Sequence, residues 1–181
     1  MSESRSTISE SKDAPRIRLR PLNVDDAECL HEWMQDNLTR SFLSSYASAT
    51  KEEIGAFIGR LREDGRDLLR MVENEKGDPV AVLALRNINK QRKTADTEAL
   101  VNPKMRGMGV GTEAKMGLLR IAFEELGLKK LFALVNKLNP ASLRYLEKQG
   151  YRRSGEMDDQ IEMIITLEDW KQNSEGLRPV L

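Results

Sequence analysis

The sequence predicts an α/β fold: a mixed, mostly antiparallel central sheet with helices on both faces. Three observations carry this. Apolar runs of strand length alternate with segments whose apolar residues recur at helical spacing, in the order β-α-α-β-β-β-α-β-α-β-β. Three of those strands follow one another with only a hairpin turn and a polar loop between them. A further run, Ala99-Leu100-Val101, stops at Asn102-Pro103 and feeds a glycine-rich turn that opens a helix.

The elements follow in order. Residues 1–14 are Ser-rich and charged and read as a disordered tail. Ile17 to Leu22 alternate with arginines, a half-exposed strand ended by Pro21. Asn23 or Asp25 caps a helix to about Gln35, with Ala27, Leu30 and Met34 on one face. Ser41 to Ser48 reads as a loop carrying Phe42, Leu43 and Tyr46. Thr50-Lys51-Glu52-Glu53 is a capping box, and its helix carries Ile54, Phe57, Ile58 and Leu61 to Gly65. Strands follow over Leu68–Glu73, Pro79–Asn87 and Thr94–Val101, the first two joined by a turn at Asn74–Asp78. The helix after the glycine turn runs to Leu126 and ends at Gly127. Leu131–Val135 is a buried strand, and Asn139-Pro140 caps and starts the next helix, ending at Gly150. Tyr151–Arg153 and Ile161–Leu167 close the sheet, and a polar tail begins near Glu168.

The chain of 181 residues suits one domain, over residues 15–171, with tails at 1–14 and 172–181. Its 29 basic and 29 acidic residues cancel, so no global field favours nucleic acid. The single Cys29 excludes an internal disulfide and a multi-cysteine zinc site, and points to a reducing, cytoplasmic setting. No signal peptide and no membrane-spanning run of ~18 apolar residues is expected. Any Ser-His-Asp or Cys-His mechanism would have to use the lone His31, which sits in a helix pattern, and the sequence has no G-x-S-x-G nucleophile elbow. One histidine and scattered carboxylates give no metal-ligand spacing.

The glycine turn carries chemistry. The first N–H groups of a helix have no partner within it, the dipole adds partial positive charge, and glycine lets an anion approach the backbone. Such a turn holds phosphate. The dinucleotide fingerprint G-x-G-x-x-G fails at Thr112, and no Gly-Lys-Ser/Thr of a P-loop follows. The pattern Arg106-x-x-Gly109-x-Gly111 does fit another loop: here the chain resembles the GNAT superfamily of N-acetyltransferases. One helix and one strand later, Asn136-x-x-Asn139-Pro140-Ala141-Ser142 leads to Glu147-Lys148-Gln149-Gly150-Tyr151, which looks like the second acetyl-CoA motif of that superfamily. Ser142, the Glu-Lys-x-Gly ending and Glu168-Asp169-Trp170 are most similar to the branch that acetylates ribosomal-protein N-termini, with spermidine acetyltransferases close by.

The resemblance implies an acyl-CoA N-acyltransferase fold and acetyl transfer from acetyl-CoA to a primary amine, either a peptide N-terminus or a small molecule. Direct aminolysis needs no covalent nucleophile. It needs an anchored donor, a neutral amine, an oxyanion donor and a proton route to the thiolate. The resemblance assigns the pyrophosphate to backbone N–H groups of the loop Gly107, Met108, Gly109, Val110, Gly111 and Thr112, with charge from Arg106. It assigns the pantetheine arm to Leu100 and Val101 on a strand that splays from its neighbour, and to Asn139. Lys104, Lys137, Arg144 and Lys148 are candidates for the 3′-phosphate. Glu98 stands where relatives place a general base, with Asp96 on the same face. Relatives carry a tyrosine acid just before the Glu-Lys pair; here that position is Leu146, and Tyr145 lies ~100° around the helix. Tyr145 and Ser142 are therefore both candidates for the acid. The acceptor pocket is expected from the first two helices, the Phe42–Tyr46 loop and the last hairpin, with Asp36, Glu52, Glu53, Glu63 and Asp64 as carboxylates able to attract a cation. No metal is expected; the sequence does not fix an oligomeric state, and an exposed last strand could pair with a second copy across a two-fold axis as a homodimer. Two alternatives stay open: a non-catalytic CoA-binding or interaction module on the same fold, and a nucleotide-binding protein.

Overall fold

The computed structural model describes residues 17–42, 49–108 and 110–175. The expected N-terminal tail, Leu43, Tyr46, Gly109 and residues 176–181 lie outside that range, and Phe42, Glu63, Asp64 and Val110 are described by backbone alone.

The strands are β1 (Ile17–Pro21), β2 (Leu68–Asn74), β3 (Pro79–Asn89), β4 (Thr94–Val101), β5 (Lys130–Asn136), β6 (Arg152–Met157) and β7 (Gln160–Thr166). The helices are α1 (Ala27–Met34), α2 (Asn37–Phe42), α3 (Lys51–Asp64), α4 (Val110–Arg120), α5 (Pro140–Lys148) and α6 (Leu167–Glu175). A 3-10 turn, Val24–Asp26, precedes α1, and a π-helical turn, Ile121–Glu125, extends α4. The strands form a single sheet in the order β1-β2-β3-β4-β5-β7-β6. β4 and β5 run parallel and the other pairs antiparallel, which is the mixed sheet the sequence predicts.

Local chemistry fixes several element ends. The Thr50 hydroxyl accepts from the Glu53 N–H (3.2 Å) and the Glu53 carboxylate accepts from the Thr50 N–H (2.8 Å), so the predicted capping box starts α3. Asn139 accepts from the Ser142 N–H (3.1 Å) with Pro140 at the first helical position of α5. The alternation in β1 sends Ile17 and Leu19 toward the core, while Arg18 and Arg20 both reach Glu73 on β2.

Three findings differ from the sequence reading. The short helix α2 takes in Ser41 and Phe42, which are expected in a loop. Where a polar tail is expected from Glu168, the chain folds as α6: Thr166 and Asp169 exchange cap hydrogen bonds, and Trp170 packs on Phe123 with ring centroids 5.4 Å apart. The last strand, β7, is not an edge; it lies between β5 and β6, and β6 forms the exposed edge. That order is set by long-range pairing, which local pattern does not carry.

The sheet separates two apolar clusters. On one side Leu118, Leu119 and Ala122 of the α4 segment pack against Leu83, Leu85, Leu131 and Met163. On the other, Leu30 and Trp33 of α1 and Ile54 and Ile58 of α3 pack against Met71 and Val82. No helix among the described residues is long and apolar enough to cross a membrane.

Candidate active site

The site begins where β4 loses a neighbour. β5 pairs with β4 only at Thr94, Ala95 and Asp96, whereas β3 follows β4 to Val101. Thr97 sits at the apex: its hydroxyl donates to the Phe132 carbonyl (3.1 Å) and lies 3.0 Å from the Tyr151 hydroxyl. Beyond it the strand edge opens. The Asn102 N–H donates to the Val80 carbonyl (2.9 Å). Backbone groups alternate sides along a strand, so Leu100 and Glu98 direct theirs to β3, and Ala99 and Val101 direct theirs into the gap. Of the two residues named for the pantetheine arm, Val101 presents its backbone to the gap. Leu100 instead turns its side chain onto the opposite, α1/α3 face.

The loop that follows β4 begins in a turn of its own. Asn102 accepts from the Lys104 N–H (3.0 Å) in the 3-10 turn Pro103–Met105. Gly107 then takes φ 79°, a left-handed conformation open to glycine and costly for other residues. Met108 is exposed, as is Thr112. Among the described residues, no side chain accepts from the amides of Gly111 or Thr112, in the first turn of α4. Gly111 allows a close approach: a Cβ there would meet the Tyr145 ring at 3.4 Å.

Arg106 is not a free charge. Its guanidinium bonds the Asp36 carboxylate (2.8 Å) and the Thr39 hydroxyl (2.5 Å). Asp36 also accepts from the Thr39 N–H (2.9 Å), starting α2. The Thr39 amide, then Arg106, hold the Asp36 carboxyl below the usual range. Of the other cations named, Lys104 pairs with Glu32 (3.4 Å) and Lys137 with Glu156 (2.9 Å), while Arg144 and Lys148 stand exposed on α5.

The two acid candidates differ. The Tyr145 hydroxyl donates to the Gly111 carbonyl (2.5 Å), and burial pushes its pKa up. Ser142 lies half-buried on the first turn of α5, beside the Asn139 side-chain oxygen that caps its N–H. Leu146 is a core residue.

On the other face of the sheet lies a cavity of about 220 Å³. Leu30 and Met34 of α1, Ile54 and Phe57 of α3, Leu69 of β2 and Val82 of β3 form much of its wall, and Glu98 and Leu100 of β4 complete it. Glu98 is open to water in this cleft, yet the apolar walls around its carboxyl raise its pKa; Arg86 opposes the rise, and Asp96 and Asp67 add to it. Asp96 is engaged, accepting from the Asn87 side-chain amide (2.7 Å). The last hairpin does not contribute to the cavity lining among the described residues, because the strand order puts β6 and β7 beyond β5. Glu53 lines it, but its carboxylate serves the α3 cap.

Sequence reasoning missed Lys115. It lies fully buried on α4, its ammonium 5.1 Å from the centroid of the Tyr151 ring, with its pKa pushed down to about 7 by burial. The signal was a lysine on an otherwise apolar helical stripe, with Ala114, Leu118, Leu119 and Ala122. No group of three or more His, Cys, Asp or Glu able to hold a metal occurs among the described residues.

A half-split mixed sheet, with a glycine-rich helix start at the split and a cavity across the same strand, defines an acyl-CoA N-acyltransferase fold. The Acetyltransferase (GNAT) domain family matches residues 16–152, and the chain belongs to that family. It is an acetyl-CoA-dependent N-acetyltransferase. The spermidine N(1)-acetyltransferase of Escherichia coli K12 is 23% identical over 144 residues, covering 80% of this chain and 77% of that protein. An N-acetyltransferase 9-like protein of Caenorhabditis briggsae is 25% identical over 154 residues, covering 77% of this chain and 76% of its own. The spermidine N-acetyltransferase of Vibrio cholerae, solved with CoA and spermine, superposes with a TM-score of 0.81 at 19% identity, covering 86% of this chain and 98% of that one. These relatives give the ribosomal-protein branch no support.

Proposed function

We propose that this enzyme acetylates a small primary amine by direct aminolysis, with Glu98 as the proton acceptor. The single observation that carries the reading is that one strand, β4, borders both spaces. Its free edge at Ala99 and Val101 faces the gap, and its Glu98 side chain faces the cavity. The relatives named for spermidine weigh toward a small amine rather than a peptide N-terminus.

The amine enters neutral from the cavity side, and the proton its nitrogen sheds as the C–N bond forms goes to Glu98. Its nitrogen attacks the thioester carbonyl carbon, whose oxygen takes a hydrogen bond from a β4 N–H turned into the gap. The C–S bond then breaks, and the thiolate takes a proton from Tyr145 or Ser142. The loop from Gly107 through Thr112 holds the diphosphate of the donor, with Arg106 at its margin, and Asn139 meets the pantetheine arm. The lone, unpaired Cys29 is consistent with a cytoplasmic setting. The exposed edge of β6 is where a second copy would pair.

Glu98→Gln tests the reading. Thiol release from acetyl-CoA should fall by about 10²–10³-fold in kcat, with CoA affinity unchanged. In the parent enzyme, activity should be lost as pH falls through the Glu98 pKa, at a pH above the ordinary carboxylate range because burial raises it. That limb should vanish in the variant. Full activity in Glu98→Gln would remove Glu98 from the mechanism.

A further inference from the structure

Arg106 opens the glycine loop, yet its side chain turns back to the corner where α1 meets α2. One terminal nitrogen, Nη2, donates to the Asp36 carboxylate oxygen Oδ2 (2.8 Å) and to the Thr39 hydroxyl (2.5 Å). The Thr39 N–H and the Thr39 hydroxyl both donate to that same Oδ2 (2.9 and 3.0 Å). Three donors thus converge on one carboxylate oxygen, and the Arg106 nitrogen has used both of its hydrogens. Thr39 is buried, and the Arg106 and Asp36 side chains are 34% and 29% exposed. The second link between this loop and α1, Lys104 to Glu32 at 3.4 Å, joins side chains 81% and 68% exposed, and such a pair contributes little. Asp36, expected among the carboxylates that attract a cation, therefore sits in the joint between loop and helix. The same helix, α1, carries Leu30 and Met34, which line the cavity beside Glu98.

Resting on the reading above, in which this loop takes the diphosphate of acetyl-CoA, we propose that Arg106 is a positioning residue. It clamps the glycine loop to the α1–α2 corner, and so holds the donor loop in register with the helix that lines the acceptor cavity. Bonded through Nη2 to a capped corner, Arg106 fixes the direction in which the chain leaves it, into Gly107 with its φ of 79°. Backbone amides serve an anion best when they are held in place before it arrives, because ordering a loop on binding subtracts from affinity. The clamp does that ordering in advance. This role and a direct contact to phosphate have opposite signs at Asp36. Were Arg106 to act by its charge on the anion, neutralising Asp36 would free that charge and remove a repulsion, and CoA would bind more tightly. With Arg106 as a clamp, neutralising Asp36 loosens the loop, and CoA binds more weakly.

Calorimetric binding of CoA to the full chain, to Arg106→Gln, to Asp36→Asn and to the double variant tests the clamp. Hydrogen exchange of the Met105 and Met108 amides, which close the turns before the loop, is measured on the same proteins without CoA. Asparagine keeps an oxygen for the Thr39 N–H, so α2 retains its cap. Each single variant should weaken CoA binding by about fivefold, and the double variant by no more than about twofold beyond the weaker single, because the two side chains make one interaction. The two loop amides should exchange faster in both single variants, by similar factors. Glu32→Gln removes a negative charge from α1 without touching the clamp, and should leave exchange at the parent rate and CoA binding no weaker. Asp36→Asn that binds CoA as tightly as the parent or more so, with Arg106→Gln weaker, would overturn the clamp and give Arg106 to the phosphate. Fully additive losses in the double variant would overturn it too. A parent chain that binds no CoA would remove the donor reading; the clamp would then be judged by exchange alone, and unchanged exchange in both single variants would overturn it.

Discussion

Lys115 places an ammonium inside the core beside a phenol ring, with no described carboxylate to pair it. Burial lowers its pKa from 10.5 to about 7. The folded state therefore binds fewer protons than the unfolded chain between about pH 7 and 10.5, and this group adds stability as pH rises through that window. Below pH 7 its penalty is fully present. Each tenfold loss of proton affinity on folding corresponds to about 1.4 kcal/mol, so the cost there is a few kcal/mol. Lys115→Met keeps the length of the side chain and removes the charge, so it should raise stability by about 2–4 kcal/mol at pH 6 and by much less at pH 10. Urea unfolding at the two pH values measures it. An equal gain at both would mean that the ammonium is not desolvated in the folded state.

At the scale of elements, the glycine loop is the proposed donor site, and its conformation is separable from its contacts. Gly107 has φ 79° and Gly77, in the β2–β3 turn, has φ 85°; an added Cβ meets nothing within 4 Å at either. Alanine therefore costs about 1 kcal/mol of backbone strain at each, with no steric clash. Gly107→Ala and Gly77→Ala should lose similar stability, but only Gly107→Ala should raise KM for acetyl-CoA, by several-fold. A matching KM change in Gly77→Ala would show that general softening is the cause. This loop was legible because its chemistry is local: three glycines after a strand and before a helix. The α3 capping box and the Asn139-Pro140 start were legible for the same reason. α2 was not, because six residues, Asn37–Phe42, are too few for a periodic pattern to register. α6 carries the cap signal Thr166-x-x-Asp169, but Leu167 and Trp170 alone make too thin an apolar stripe to announce it. The Arg106–Asp36 pair joins residues 70 apart in sequence and had no local trace.

Across the whole molecule, the organising feature is that the sheet is continuous at one end of β4 and parted at the other. Strand identities could be read from pattern, but which edge stays unpaired could not. The pattern shows how apolar a strand is on each face and says nothing of the hydrogen-bonding neighbour it lacks. The parting has a direct consequence in solution. From Glu98 to Asn102, alternate amides of β4 face β3 and the gap: Glu98, Leu100 and Asn102 are paired inward, Ala99 and Val101 point outward. Amide exchange tracks hydrogen bonding and local opening. Residue-resolved exchange should therefore alternate, slow at Glu98 and Leu100 and faster at Ala99 and Val101. Thr94 to Asp96, zipped on both sides, should be slow throughout. Adding CoA should slow Ala99 and Val101 and leave Glu98 and Leu100 unchanged, since the latter are already bonded to β3. Protection that is uniform along β4 without CoA would mean that β5 closes against it in solution. The gap would then not be a standing donor channel, and CoA would have to part the sheet to bind.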